Sequence, residues 1–95
     1  MKRRAAKVET GSAMIKVVFF ARLREQLAMP GLAMDFVADE TVFGLAQRLQ
    51  AQIGDIAEVL LDEETVYAVD QAIVDRDFLL VDGSEVAFFP PVTDG

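Results

Sequence analysis

Apolar residues in this chain fall in short blocks whose period changes from two to nearly four and back. Ile15 to Phe20 (IKVVFF) is β-branched and aromatic, the composition of a strand, and its near-continuous apolarity suits a central one. Ala21 to Ala28 (ARLREQLA) turns to helix formers, with Leu23 and Leu27 four apart on one face. Met29-Pro30-Gly31 ends that helix. Leu32 to Val37 then alternates as a strand, with Leu32, Met34 and Phe36 on one side and Ala33, Asp35 and Val37 on the other. A helix separates these two strands, so the pattern does not require them to be tightly linked.

The strongest helical signal lies at Val42 to Gln52, with Thr41 as its N-cap. Val42, Leu45, Ala46, Leu49 and Ile53 make one apolar stripe, and Gly54 stands where the helix should stop. Gly44 inside it costs up to about 1 kcal/mol relative to alanine. Ile56 to Leu61 reads as a short second helix or a turn, and Glu63-Glu64 as a solvated corner. Short strands follow at Val66–Val69 and Ala72–Val74 around an Asp70-Gln71 turn. Asp82-Gly83 is a further turn signal, and Glu85 to Phe89 (EVAFF) is the last strand, halted by Pro90-Pro91. Strands gathered around one main helix predict an α+β fold, a mixed sheet with the helix packed on one face. The β-grasp (ubiquitin-like) roll fits best. A ferredoxin-like split βαβ would want a second long helix, which residues 55–64 hardly supply.

Residues 1–13 (MKRRAAKVETGSA) have no apolar period and are expected to be a disordered arm, an upstream start or a cloning remnant, because Met14 opens directly into the first strand. The domain is then 14–89 and the tail 90–95. Apolar residues make up 53% of the chain, enough for one core. No run approaches the roughly 20 apolar residues of a membrane span, and no secretory signal is evident. A soluble cytoplasmic protein without a membrane partner is the expectation.

Charge sharpens this picture. The arm holds four basic residues and one acid, leaving residues 14–95 with 5 basic against 15 acidic side chains, a net of −10. An acidic body repels a phosphate backbone, so no nucleic-acid partner is expected, whereas a basic protein surface would suit it. The chain has no Cys, His or Trp. Thiolate and imidazole catalysis, disulfides, zinc and iron–sulfur sites are thereby excluded. Chemistry must use carboxylates, hydroxyls, amines or the chain terminus.

The terminus is the distinctive segment: Asp82 to Gly95, DGSEVAFFPPVTDG. Proline lacks an N–H and fixes φ, so Pro90-Pro91 forms a stiff stem leading off the sheet. The six residues after Phe89, at about 3.3 Å each, reach roughly 20 Å. A terminal glycine is slender enough to thread a narrow partner site. Read by physics alone, the same segment also fits an ordinary frayed end after an edge strand.

Three blocks resemble the small-subunit family of molybdopterin synthase, which are ubiquitin-like sulfur carriers: MIKVVFFARLRE (Met14 to Glu25), AVDQAIV (Ala68 to Val74) and DGSEVAFFPPV (Asp82 to Val92). The closing block is the most specific. The resemblance implies a β-grasp fold. It also implies a terminal carboxylate, on Gly95, that is adenylated, converted to a thiocarboxylate, and donates sulfur to a pterin precursor for molybdenum cofactor biosynthesis. Pro90, Pro91, Val92, Thr93 and Asp94 would form the inserted tail. Phe20, Arg24 and Phe89 match partner-surface positions, although Phe20 and Phe89 also fit core roles and Arg24 a solvated helix charge. The implied partners are the large subunit of molybdopterin synthase, in a heterotetramer, and a ubiquitin-activating-like adenylyltransferase that uses MgATP. This chain itself would bind no cofactor or metal. It would be a non-catalytic sulfur donor, with catalytic residues on the large subunit.

The sequence departs from that family at Asp94, where the family has glycine, and at Asp70, where asparagine is usual; both Asp and Asn suit the turn at 70. A side chain at 94 thickens the tail and adds charge beside the reacting end. Two other readings remain. One is sulfur delivery to thiamine or tRNA, against which the FFPPV block argues. The other is a non-catalytic β-grasp interaction module, which Asp94 leaves open.

Overall fold

Alternation along the first strand sets the architecture. In the computed structural model, which describes residues 13–90, β1 (Met14–Phe19) buries Ile15, Val17 and Phe19 and turns Lys16 to the opposite face. The chain then forms α1 (Arg22–Leu27), β2 (Gly31–Asp35), α2 (Val42–Ile53), a 3-10 helix (Asp55–Leu61), β3 (Val66–Val69), β4 (Ala72–Val74) and β5 (Glu85–Phe89). Five strands make one sheet in the order β2-β1-β5-β3-β4. The β1–β5 pair is parallel, and the other three pairs are antiparallel. With α2 covering one face, this is the expected β-grasp roll. The ferredoxin-like alternative is excluded, because Asp55–Leu61 winds as a single 3-10 segment.

Two details differ from the sequence reading. β1 and β2 are directly linked, pairing from Met14↔Asp35 to Val18↔Gly31, with α1 inside their connection. Gly31 makes that approach feasible: a Cβ there would lie 2.1 Å from the Val17 carbonyl oxygen. β2 also stops at Asp35 rather than Val37. Beyond it the chain turns through Asp39, at φ 65°, toward Thr41, whose Oγ1 accepts from the Gly44 amide at 3.0 Å as the N-cap of α2.

The core lies between α2 and the sheet. Val42, Leu45, Ala46 and Leu49 from the helix meet Ile15, Val17, Phe19, Val86 and Phe88 from β1 and β5. Leu23 and Leu27 close it from α1, and Leu60 from the 3-10 helix. Phe88 is its aromatic centre, 5.9 Å from Phe19 and edge-on to Tyr67 at 5.4 Å. The Tyr67 hydroxyl donates to the Leu60 carbonyl at 2.7 Å, so this buried polar tip is satisfied. Asp70 and Gln71, at φ 50° and 74°, make the tight β3–β4 turn. The Asp70 carboxylate accepts from the Glu85 amide at 3.0 Å, tying the turn to the foot of β5.

Candidate functional site

Among the described residues, no helix covers the other face of the sheet. Strand alternation puts Phe20 and Phe89 there, one residue beyond the core rings Phe19 and Phe88. They stack with centroids 4.7 Å apart and planes within 4°. Phe20 is 42% exposed, outside the core, and Phe89 is half-buried. Together with Val66, Ala68, Ile73 and Ala87 they line an apolar concavity of about 490 Å³. Ile73 on β4 is 78% exposed at its rim. No single block of sequence announced this surface, because its residues come from four separated segments.

The carboxyl end leaves from this surface. β5 lies between β1 and β3, so it is a central strand held by two ladders. The edge strand that the alternative reading of the terminus assumed is therefore not what precedes the tail. The Phe20 amide donates to the Phe88 carbonyl at 3.0 Å, extending the β1–β5 pairing to the last residues before the prolines. Pro90 is half-buried at the edge of the concavity. Pro91, Val92, Thr93, Asp94 and Gly95 lie outside the described residues, as does the arm apart from Ala13.

Beside the exit, Ala21 takes φ 53° and ψ −131°, a conformation costing of order 1–3 kcal/mol in a non-glycine residue. It swings the chain from the outer face into α1. Arg24 sits exposed on that helix, with Arg22 one half-turn before it. The structure thus brings Phe20, Phe89 and Pro90 to one surface and sets Arg24 on the neighbouring helix.

Away from this surface, Arg48 on α2 forms a two-pronged contact with Glu40, Nε and Nη2 each donating at 2.8 Å, and Nη2 also reaches the Asp35 carbonyl. That hydrogen bonding to Glu40 raises the guanidinium's pKa further and fixes the 36–41 loop to the helix. Desolvation pushes the Tyr67 phenol above its ordinary 10.0. Among the described residues, no group of acidic side chains is arranged to hold a metal ion, and no helix is long and apolar enough to cross a membrane.

A five-stranded roll with one bare apolar face and a carboxyl end leaving from its central strand defines a small ubiquitin-like protein. Residues 17–95 match the ThiS family, and the chain belongs to that family. It is 46% identical over 84 residues to the molybdopterin synthase sulfur carrier subunit of Escherichia coli, covering 86% of this chain and all of that protein. The Haemophilus influenzae protein of the same name is 33% identical over 85 residues, with the same coverage. Among solved structures, a Pyrococcus furiosus protein assigned as molybdopterin converting factor, subunit 1, superposes with a TM-score of 0.69 at 28% identity. That match covers 85% of this chain and all of the other.

Proposed function

We propose that this chain is the sulfur-carrier subunit of molybdopterin synthase. One structural observation carries the reading: the chain leaves a central strand, through Pro90, at the edge of an apolar face that no described helix covers. Such an arrangement suits a partner that covers the face and takes the last residues into its own active site. The names of the two curated relatives supply the chemistry. The family match alone would fit thiamine sulfur delivery equally well. The 46% identity to a molybdopterin synthase subunit favours the present reading.

In this reading the Gly95 carboxylate attacks ATP and displaces pyrophosphate, giving an acyl adenylate on an activating enzyme of the ubiquitin-activating type. Its magnesium-bound ATP supplies the electrostatic help. A sulfur nucleophile then replaces AMP at the acyl carbon. The resulting thiocarboxylate gives its sulfur to a pterin precursor in the large subunit, and oxygen from water restores the carboxylate. No cysteine is needed, in keeping with a chain that has none. Phe20, Phe89 and the concavity they line bind the large subunit, and Arg24 contributes a charge at the edge of that contact. The acidic body favours basic protein partners over nucleic acid.

Intact mass tests the reading directly. After incubation with the cognate activating enzyme, MgATP and sulfide as the nucleophile, the chain should gain the difference between one sulfur and one oxygen. No gain, under conditions where the Escherichia coli relative is converted, would leave a non-catalytic interaction module instead.

A further inference from the structure

A second apolar surface lies at the opposite end of the strands from Phe20 and Pro90. Leu80 is buried, and its neighbours Leu79 and Val81 point outward, 56% and 62% exposed. Phe78 and Val37 are exposed beside them. These residues belong to two loops that are bonded together. Thr41 and Leu79 form a single antiparallel bridge, the Leu80 amide donates to the Glu40 carbonyl at 3.0 Å, and the Glu40 amide donates to that of Val37 at 3.2 Å. Lone exposed apolar residues are ordinary, but four on two joined loops make a patch of the kind that marks a contact. Asp39, Asp77 and Asp82 lie on the same loops, and none is salt-bridged among the described residues. The nearby cations are occupied: Arg48 by Glu40, and Arg76 over the Phe43 ring at 4.2 Å.

The direction of the chain at Ala13 names an occupant. Its carbonyl accepts from the Phe36 amide at 3.0 Å, one step past the Met14↔Asp35 pair. The Met14 amide donates to the Asp82 carboxylate at 3.2 Å, and the Gly83 amide to the Met14 carbonyl at 3.0 Å. The chain upstream of Ala13 therefore starts between the two loops that carry the patch. Those twelve residues hold Lys2, Arg3, Arg4 and Lys7 against one acid, Glu9, with Met1, Ala5, Ala6 and Val8 interspersed. They can span up to about 40 Å, far more than the patch requires.

We propose that the patch of Val37, Phe78, Leu79 and Val81 is the docking site of the chain's own residues 1–12, whose basic side chains pair with Asp39, Asp77 and Asp82. Tethering makes the contact intramolecular, with an effective concentration near millimolar, so a weak and salt-sensitive contact suffices. The docked arm leaves the Phe20–Phe89 face and Pro90 open, because β1 separates the two ends. The inference therefore stands apart from the sulfur-carrier reading.

The chain has no cysteine, so Ala5→Cys gives a single site for a nitroxide label without removing a basic residue. Paramagnetic broadening is read by NMR on the full chain. A merely tethered arm sweeps its whole end of the sheet, so the reference is the Asp70–Gln71 turn at that same end. Docking predicts broadening at Leu79 and Val81 several-fold above that at Asp70 and Gln71. Salt at about 1 M, where the Debye length is about 3 Å, should reduce it to the reference level, as should Leu79→Asp. Equal broadening at both places, or broadening centred on Ile73 and Phe20, would overturn the proposal. So would undiminished transfer of the effect from a labelled chain to an unlabelled, isotope-enriched one, which would mean docking between copies.

Discussion

Phe88 and Phe89 are adjacent, chemically identical and on the same strand, yet they belong to different regions of the molecule. Phe88 is fully buried between Phe19 and Tyr67 beneath α2. Phe89 faces the other way, half-buried, with Phe20 as its stacking partner. The covered face of the sheet is held by the chain's own helices. The other face has the composition of a core, and none of the described elements closes it. An apolar side chain of this chain thus contributes either to folding or to association, and one step along a strand decides which.

The largest effect that would sharpen this contrast lies beyond both rings. Deleting Gly95 should abolish sulfur transfer while leaving thermal unfolding unchanged, since a terminal residue past the last strand adds little stability. Pterin product formation and a thermal melt on the same sample measure both. Retained activity would break the sulfur-carrier reading.

The rings themselves come next. Phe88→Ala should cost about 3–5 kcal/mol of stability, as for a large core aromatic. Phe89→Ala should cost only about 1 kcal/mol, the scale of a lost aromatic pair, but weaken large-subunit binding by about 2 kcal/mol or more. Denaturant melts beside calorimetric titration separate the two. Similar stability losses in both variants would erase the distinction between the faces.

A smaller effect is expected at Asp94. Burying an unpaired carboxylate in a partner channel costs several kcal/mol, partly relieved by threading geometry and solvent. Asp94→Gly should raise the rate of adenylation or sulfur transfer, and Asp94→Asn should recover part of that gain by removing charge but keeping bulk. A partner with a basic residue at this point would reverse the order, and three equal rates would mean that residue 94 is not closely held. Rates for the three tails with the cognate enzymes decide.

The smallest effect concerns the covered face. Burial raises the Tyr67 pKa above its ordinary 10.0, so its contribution is complete below that pH and is lost as pH climbs through the folded value. Tyr67→Phe should cost about 1 kcal/mol at neutral pH, through the lost bond to Leu60, and flatten the decline of stability on the alkaline side. Urea midpoints between pH 8 and 11 for both proteins measure this, and parallel curves would count against it.

Most of the fold was legible because its periods are clean. The α2 stripe, its Thr41 cap and the Asp70-Gln71 turn each combine a pattern with a residue suited to it. The bare face was not legible. IKVVFF and EVAFF are apolar on nearly every position, so alternation cannot say which ring points inward. That depends on the position of α2, which is tertiary information. The close β1–β2 pairing was missed for a related reason: Gly31 read only as a helix stop, whereas its missing Cβ is what lets the strands meet. The patch at Leu79 was hidden in an apolar run of strand length, of which only Leu79 makes a bridge.

The place of β5 has a consequence for how the molecule is made. The β1–β2 and β3–β4 pairs share no ladder, and only β5 joins them, Lys16 pairing with Glu85 and Val66 with Phe89. Contacts so distant along the chain form slowly, and neither hairpin alone presents a continuous surface. The face, the stacked rings and the exit of the chain therefore come into being together, in the same event that completes the sheet. A partner that grips this surface meets it only on copies in which β5 has joined both strand pairs.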